Sequence, residues 1–337
     1  MGSHRRLATT GFDRGAGAAL CVMSAAATAL GVVPASAAPQ DDTRAKVDRL
    51  YEEAEKATEA YNRADERADK LRKQVTDAQD RIARQQEDIN SKRDALGSLA
   101  GAQYRSGGLD PSLALLLSND PADYLDKAAR IARLSAHQAG ELKELQDAMR
   151  RLAQDRSEAT GKLLDLEKSR KAVAVHKRAV ERKLTQARRL LNSLTAADRA
   201  AYDRASRSGR AGMPDFGSLV APSGRAAAAV AAAQSALGRP YVWGANGPSG
   251  FDCSGLIQWS YAQAGVAMPR TSQGQRYAGR QVPLSEAQPG DVVTYRGDAS
   301  HVGMYVGNGQ VIHAPYPGAP VRYDPVGMMP GATVTRV

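Results

Sequence analysis

The chain has 337 residues, a formal net charge of +10 and a pI near 9.6, with 42% hydrophobic and only 5% aromatic residues. That length allows two or three domains. A nucleic-acid binder is disfavoured: no nucleic-acid motif is present, and the basic residues are interspersed with acidic ones, which leaves an anionic cell envelope or no specific electrostatic partner at all.

The first 38 residues read as a secretory signal. Arg5, Arg6 and Arg14 form a basic start, Ala16 to Val33 is apolar and small, and Ala35-Ser36-Ala37 fits the small-x-small cleavage pattern. Arg5-Arg6 is a weak twin-arginine candidate. Cleavage would remove Cys21 and leave Cys253 as a lone thiol in an oxidising compartment, a liability unless it pairs between chains or does chemistry. The expected location is outside the cell.

Residues 41–205 predict an all-α coiled-coil hairpin. In the first arm Val47, Ala54, Tyr61, Ala68, Val75, Ile82, Ile89 and Leu96 recur every seven residues, with Leu50, Ala57, Ala64, Leu71 and Ala78 as a second row that Gln85 and Lys92 break. Breakers at Ser106-Gly107-Gly108 and Asp110-Pro111 place a tip near 100–122. The second arm repeats the spacing from Leu145 through Leu152, Ala159, Leu166, Val173, Val180 and Ala187 to Leu194. A further row holds Leu142, Met149, Leu163, Leu184 and Leu191. The charged rows read as solvated faces. The apolar tip segment Leu113 to Leu117 reads either as a small local core or as a docking surface. Residues 206–222, rich in Gly, Ser, Pro and Arg, predict a flexible linker.

Residues 223–337 predict an α+β domain, with helices first and a strand meander after. An Ala-rich helix spans 226–237, and a turn-rich run from Gly244 to Gly250 then leads into a helix that starts at Cys253. Asp252 is the expected N-cap, and the positive helix end would favour thiolate. Strands are expected at 292–295, 301–306 and 311–313, with Gly307-Asn308-Gly309 as a hairpin turn and 333–337 as an edge strand.

The hairpin would bring His301 and His313 together. A helix-start cysteine facing a histidine is what thiol nucleophilic catalysis needs. His301 would act as base and His313 would fix its tautomer. The Cys253 amide and the Tyr241 hydroxyl would hold the oxyanion. No cofactor is called for, because one Cys and two His lack a suitably spaced fourth zinc ligand.

The motifs Pro240-Tyr-Val-Trp-Gly244, Phe251-Asp-Cys-Ser-Gly-Leu256, Pro269-Arg-Thr-Ser272, Pro289-Gly-Asp291, His301-Val-Gly-Met-Tyr-Val-Gly-Asn-Gly309 and Ile312-His-Ala-Pro315 resemble the NlpC/p60 family of cell-wall cysteine peptidases. The resemblance implies a papain-like fold and cleavage of peptidoglycan stem peptides between D-glutamate, through its γ-carboxyl, and the following diamino acid. It makes Cys253 the nucleophile, His301 the base and His313 the third member, with Tyr241 serving the oxyanion region. It also places Asp252, Arg270 and Ser272 along the substrate cleft. The N-terminal half resembles, on Tyr104-Arg-Ser-Gly-Gly108 and Leu113 to Asp120, the coiled-coil regulators of the RipC, CwlO and PcsB kind. That likeness implies docking of the tip on a membrane division complex of the FtsEX type and a hydrolase kept inactive until its coiled coil is engaged. Two rival readings stay open: an N-acetylmuramoyl-L-alanine amidase, and a non-catalytic division scaffold.

Overall fold

The computed structural model describes residues 39–105, 121–200 and 223–337. The expected signal segment, the apolar tip at Leu113 to Leu117 and the 206–222 linker lie outside them. Two long helices, α1 (Pro39–Arg105) and α2 (Pro121–Ser193), run antiparallel. At 1.5 Å per residue, the 67 residues of α1 extend about 100 Å. No helix among the described residues is long and apolar enough to cross a membrane.

The heptad residues form the seam between these helices. Val47 and Ala54 pack on Val180, Leu184 and Ala187; Ala68 and Val75 on Leu166; and Ile89 on Ala148 and Leu152. Rising numbers on one arm meet falling numbers on the other, as an antiparallel hairpin requires. The breaks in the second row are polar bridges between the arms: Gln85 donates to Asp155 at 2.8 Å and Lys92 to Glu144 at 3.2 Å. The seam is narrower than the sequence pattern suggested. Leu142, Met149 and Leu163 stay nearly half exposed, because two helices can cover only one stripe of each other.

The C-terminal domain begins with α3 (Gly224–Ser235), capped by the Ser223 hydroxyl, which accepts from the Ala226 N–H. Then follow α4 (Cys253–Gln263), the short α5 (Ser272–Gln275) and strands β1 (Arg280–Val282), β2 (Val292–Tyr295), β3 (His301–Gly307), β4 (Gln310–His313), β5 (Arg322–Pro325) and β6 (Thr333–Arg336). They form one antiparallel sheet in the order β1-β6-β2-β3-β4-β5. The last strand is therefore interior rather than an edge: β1, too short to leave a period in the sequence, covers it. Leu256, Ile257 and Tyr261 of α4 pack with Val302, Met304 and Ile312 of the sheet, which fixes the start of α4 over β3.

Candidate active site

The site forms where the start of α4 meets the β3–β4 hairpin. Asp252 caps α4, accepting from the Gly255 N–H at 2.7 Å, and Cys253 is the first helical residue. The approach is too close for any side chain at 255, where a Cβ would lie 2.1 Å from the Ala245 carbonyl oxygen. Asp252 does more than cap. It takes both arms of Arg270 at 3.0 and 2.7 Å and the Gly244 N–H at 3.0 Å.

Across the hairpin, Asn308 and Gly309 both have positive φ, as a two-residue turn of this twist requires. Met304 pairs with Ile312, so Gly303 falls opposite His313. A Cβ at Gly303 would sit 3.2 Å from that of His313. His301 is thus the diagonal neighbour of His313 on the same face. The rings meet edge to face, with His301 Nε2 2.8 Å from His313 Nδ1.

The pair continues to a residue that sequence reasoning missed. His313 Nε2 lies 2.8 Å from Asp324 Oδ2 on β5, a carboxylate that Arg322 Nε also contacts at 2.8 Å. Burial would raise Asp324, but His313 and Arg322 outweigh it and hold the group ionised. Burial lowers His313 to about 4 despite Asp324, so this imidazole is neutral at physiological pH. A carboxylate only accepts, so the His313 proton sits on Nε2. Its Nδ1 must then accept from His301 Nε2–H. When His301 is neutral, the relay leaves its lone pair on Nδ1, the nitrogen a general base would use.

That nitrogen has no hydrogen-bond partner, and the Cys253 thiol turns to Glu59 instead, at 3.7 Å. The reason lies on α1. Tyr51, Glu55, Glu59 and Asn62 recur at spacings that place them on one helix face, and that face is laid into the cleft. Tyr51 stacks on Tyr316 with ring centroids 4.9 Å apart, and Asn62 donates to Asp252 at 3.0 Å. Glu59 accepts from the Ser254 hydroxyl at 2.7 Å and the Ser272 N–H at 3.0 Å. Glu55 accepts from Arg296 at 2.6 Å and lies 3.5 Å from His301 Nδ1. The expectation that this charged row is a solvated face is corrected: Glu55 and Glu59 are buried, because the C-terminal domain supplies partners that water would otherwise supply.

The electrostatics follow. Burial pushes Glu59 up to about 7, helped by Asp252, against the opposing effects of Ser254, Ser272 and Arg270. Glu55 goes the other way: burial would raise it, but His301 and Arg296 together pull it below the usual range. The thiol also departs from expectation. Burial first, then Glu59, Asp252 and Glu55, hold it well above its ordinary value and keep it protonated, which overrides the helix end. Tyr241 is buried in the same field, and burial with Cys253, Asp252 and the two α1 carboxylates raises its phenol. Ser272 sits at the edge of this cluster, its hydroxyl donating to the Ala299 carbonyl at 2.6 Å. All seven residues singled out from the sequence therefore lie around one cleft.

Residues 238–330 match the model of the NlpC/P60 family. The C-terminal domain is an NlpC/P60 domain. Relatives of it include a protein named "Probable endopeptidase" from Mycobacterium tuberculosis, 47% identical over 118 residues, which are 34% of this chain and 30% of that one. Another of that name from Corynebacterium glutamicum is 46% identical over 109 residues, 32% of this chain and 52% of that one. The chain thus spans about a third to a half of the length of these curated relatives. Among solved structures, the peptidoglycan hydrolase RipB of M. tuberculosis is 35% identical over 33% of this chain and 64% of that chain, with a TM-score of 0.32. The P60 domain of an antigen from M. avium subspecies paratuberculosis is 37% identical over 33% of this chain and 93% of that chain, with a TM-score of 0.31.

Proposed function

We propose that the chain is a secreted, wall-associated peptidoglycan hydrolase that cuts the γ-D-glutamyl–diamino acid bond of stem peptides, and that α1 keeps it latent. The observation that carries this reading is the histidine–histidine–aspartate relay aimed at the cleft where Cys253 opens α4, with two carboxylates of α1 filling the space between thiol and imidazole. With α1 displaced, the thiol loses two neighbouring carboxylates and regains water, so its pKa falls toward the range in which His301 can take the proton. The thiolate adds to the scissile carbonyl, and the α4 amide and Tyr241 hydroxyl stabilise the oxyanion. The carbon–nitrogen bond breaks as His301 Nδ1 returns its proton to the leaving amine. Water, deprotonated by the same imidazole, then opens the thioester and restores the thiol. Asp252, Arg270 and Ser272 line the acyl side. Displacement of α1 would be driven from the hairpin tip by a membrane division complex of the FtsEX type. Tyr104, among the last described residues before that tip, is 86% exposed, and Leu125 just beyond it is 69% exposed. The test is digestion of purified wall by the intact chain and by the chain with Glu55→Lys and Glu59→Lys. The charge reversals should release activity that Cys253→Ala abolishes; equal rates with and without them would sink the latency.

A further inference from the structure

We propose that Arg296 is an anion subsite on the leaving side of the cleft, built for a carboxylate carried by the residue whose amine departs. This inference rests on the cleavage reading above and names a substrate contact within it. The Arg296 guanidinium is only 16% exposed. It donates from Nη1 to Glu55 Oε2 at 2.6 Å and to the Ser300 hydroxyl at 3.1 Å. Its backbone is left-handed, with φ of 64°, and is held there by its own N–H to the Pro330 carbonyl at 2.8 Å. The side chain is therefore presented from a fixed turn one strand-end before His301.

The carboxylates that stabilise this cation are Glu55 and, more remotely, Glu52. Both belong to α1. When α1 leaves, Arg296 loses the anion that it pairs with here and stands as a cation open to another one. Arg270 is different, because Asp252 of its own domain neutralises it whether or not α1 is present.

The position fits the chemistry. Glu55 reaches Arg296 with one oxygen while the other stands 3.5 Å from His301 Nδ1. The leaving nitrogen must come to that same Nδ1 to receive its proton. A carboxylate on the carbon next to that nitrogen lies two bonds away, within the span that the Glu55 carboxylate occupies. Glu55 is thus a stand-in for the leaving residue's own carboxylate. A space of about 670 Å³ beside Arg296 is walled by Asp48, Arg49, Glu52 and Lys56 of α1 and, on the domain side, by Gly297, Asp298 and Met329 to Gly331, so the domain side becomes an open face when α1 leaves.

The test uses the full chain opened by Glu55→Lys and Glu59→Lys. Two synthetic stem peptides are compared, one with a free carboxylate on the carbon beside the scissile nitrogen and one with that carboxylate amidated. The free acid should show at least a tenfold higher kcat/KM. Arg296→Gln should lower kcat/KM for the acid about 10- to 100-fold, mostly through KM, leave the amide little changed, and be partly rescued by Arg296→Lys. Equal losses for both peptides, or no loss, would overturn the subsite. If the opened chain cuts neither peptide, the cleavage reading fails, and calorimetry on the opened Cys253→Ala chain decides the subsite. A preference for the acid that Arg296→Gln removes sustains it, and the absence of a preference refutes it.

Discussion

The two carboxylates that α1 inserts into the cleft should not be equivalent, and a pair of isosteric substitutions separates them. Glu55 is held below the ordinary carboxylate range by His301 and Arg296, so it docks as an anion. Glu55→Gln leaves the Arg296 cation buried without its partner. Breaking such a pair costs about 3–5 kcal/mol, and the 16% exposure of Arg296, which lets some water in, brings the figure to about 2–4 kcal/mol. At 1.4 kcal/mol per tenfold, that raises the open fraction roughly 30- to 1,000-fold. Glu59 is pushed up to about 7 by burial and by Asp252, so it docks most favourably as the neutral acid. Glu59→Gln keeps a carbonyl oxygen as acceptor for the Ser272 N–H, turns its NH2 toward the Ser254 oxygen as donor, and removes the cost of ionisation. It should leave latency intact or tighten it at neutral pH. The assay is the initial rate of wall turbidity loss, paired with the rate of Cys253 alkylation read by peptide mass mapping. Equal activation by the two substitutions, or activation by Glu59→Gln alone, would refute the assignment of charge states.

The pH dependence follows with its sign. A group whose docked pKa is raised favours docking below its free value and loses that contribution as pH climbs, so Glu59 should weaken docking from about pH 4.5 to about pH 7, by at most about tenfold per unit. Glu55, being lowered, works oppositely and weakens docking as pH falls below its free value of 4.5. Energy transfer between dyes on α1 and the C-terminal domain should therefore be greatest near pH 4.5–5, and Glu59→Gln should flatten the neutral limb while sparing the acid one; a neutral limb unchanged by that substitution would contradict the account. Asp324→Asn can donate to His313 Nε2, reverse both imidazole tautomers and deprive Nδ1 of His301 of its lone pair; in the opened chain kcat should fall at least 100-fold with KM little changed, whereas a merely structural role would lower thermal stability without that split. Gly255→Ala should abolish the site by driving a methyl group into the Ala245 carbonyl, seen as loss of folded protein or a large fall in Tm.

Much of the site could be read from the chain because its geometry is local. A turn-rich loop, an Asp cap and an apolar helix fix Cys253, and a two-residue hairpin fixes His301 against His313; neither needs information from far away. Asp324 escaped because β5 is short and lies in a loop-like, Pro- and Gly-rich stretch, so nothing in its spacing predicts a partner for His313. Glu55 and Glu59 escaped for a different reason. A charged stripe on a long helix has the same pattern whether it faces water or a cleft about 200 positions later in the chain, and only the buried partners Arg296, Ser254 and Ser272 tell them apart. The protonated thiol escaped for the same reason, since the helix end that favours thiolate is local and the carboxylates that oppose it are not. β6 was misplaced as an edge because a three-residue strand such as β1 leaves no periodicity to detect.

The most direct test is mass spectrometry of purified muropeptides after incubation with the chain opened by Glu55→Lys and Glu59→Lys. The account predicts that L-Ala-γ-D-Glu stays on the sugar while the diamino acid that ends the stem is released with its amine free, and that Cys253→Ala yields neither product. Bare muramic acid, or no cleavage by a folded and opened chain, would contradict it.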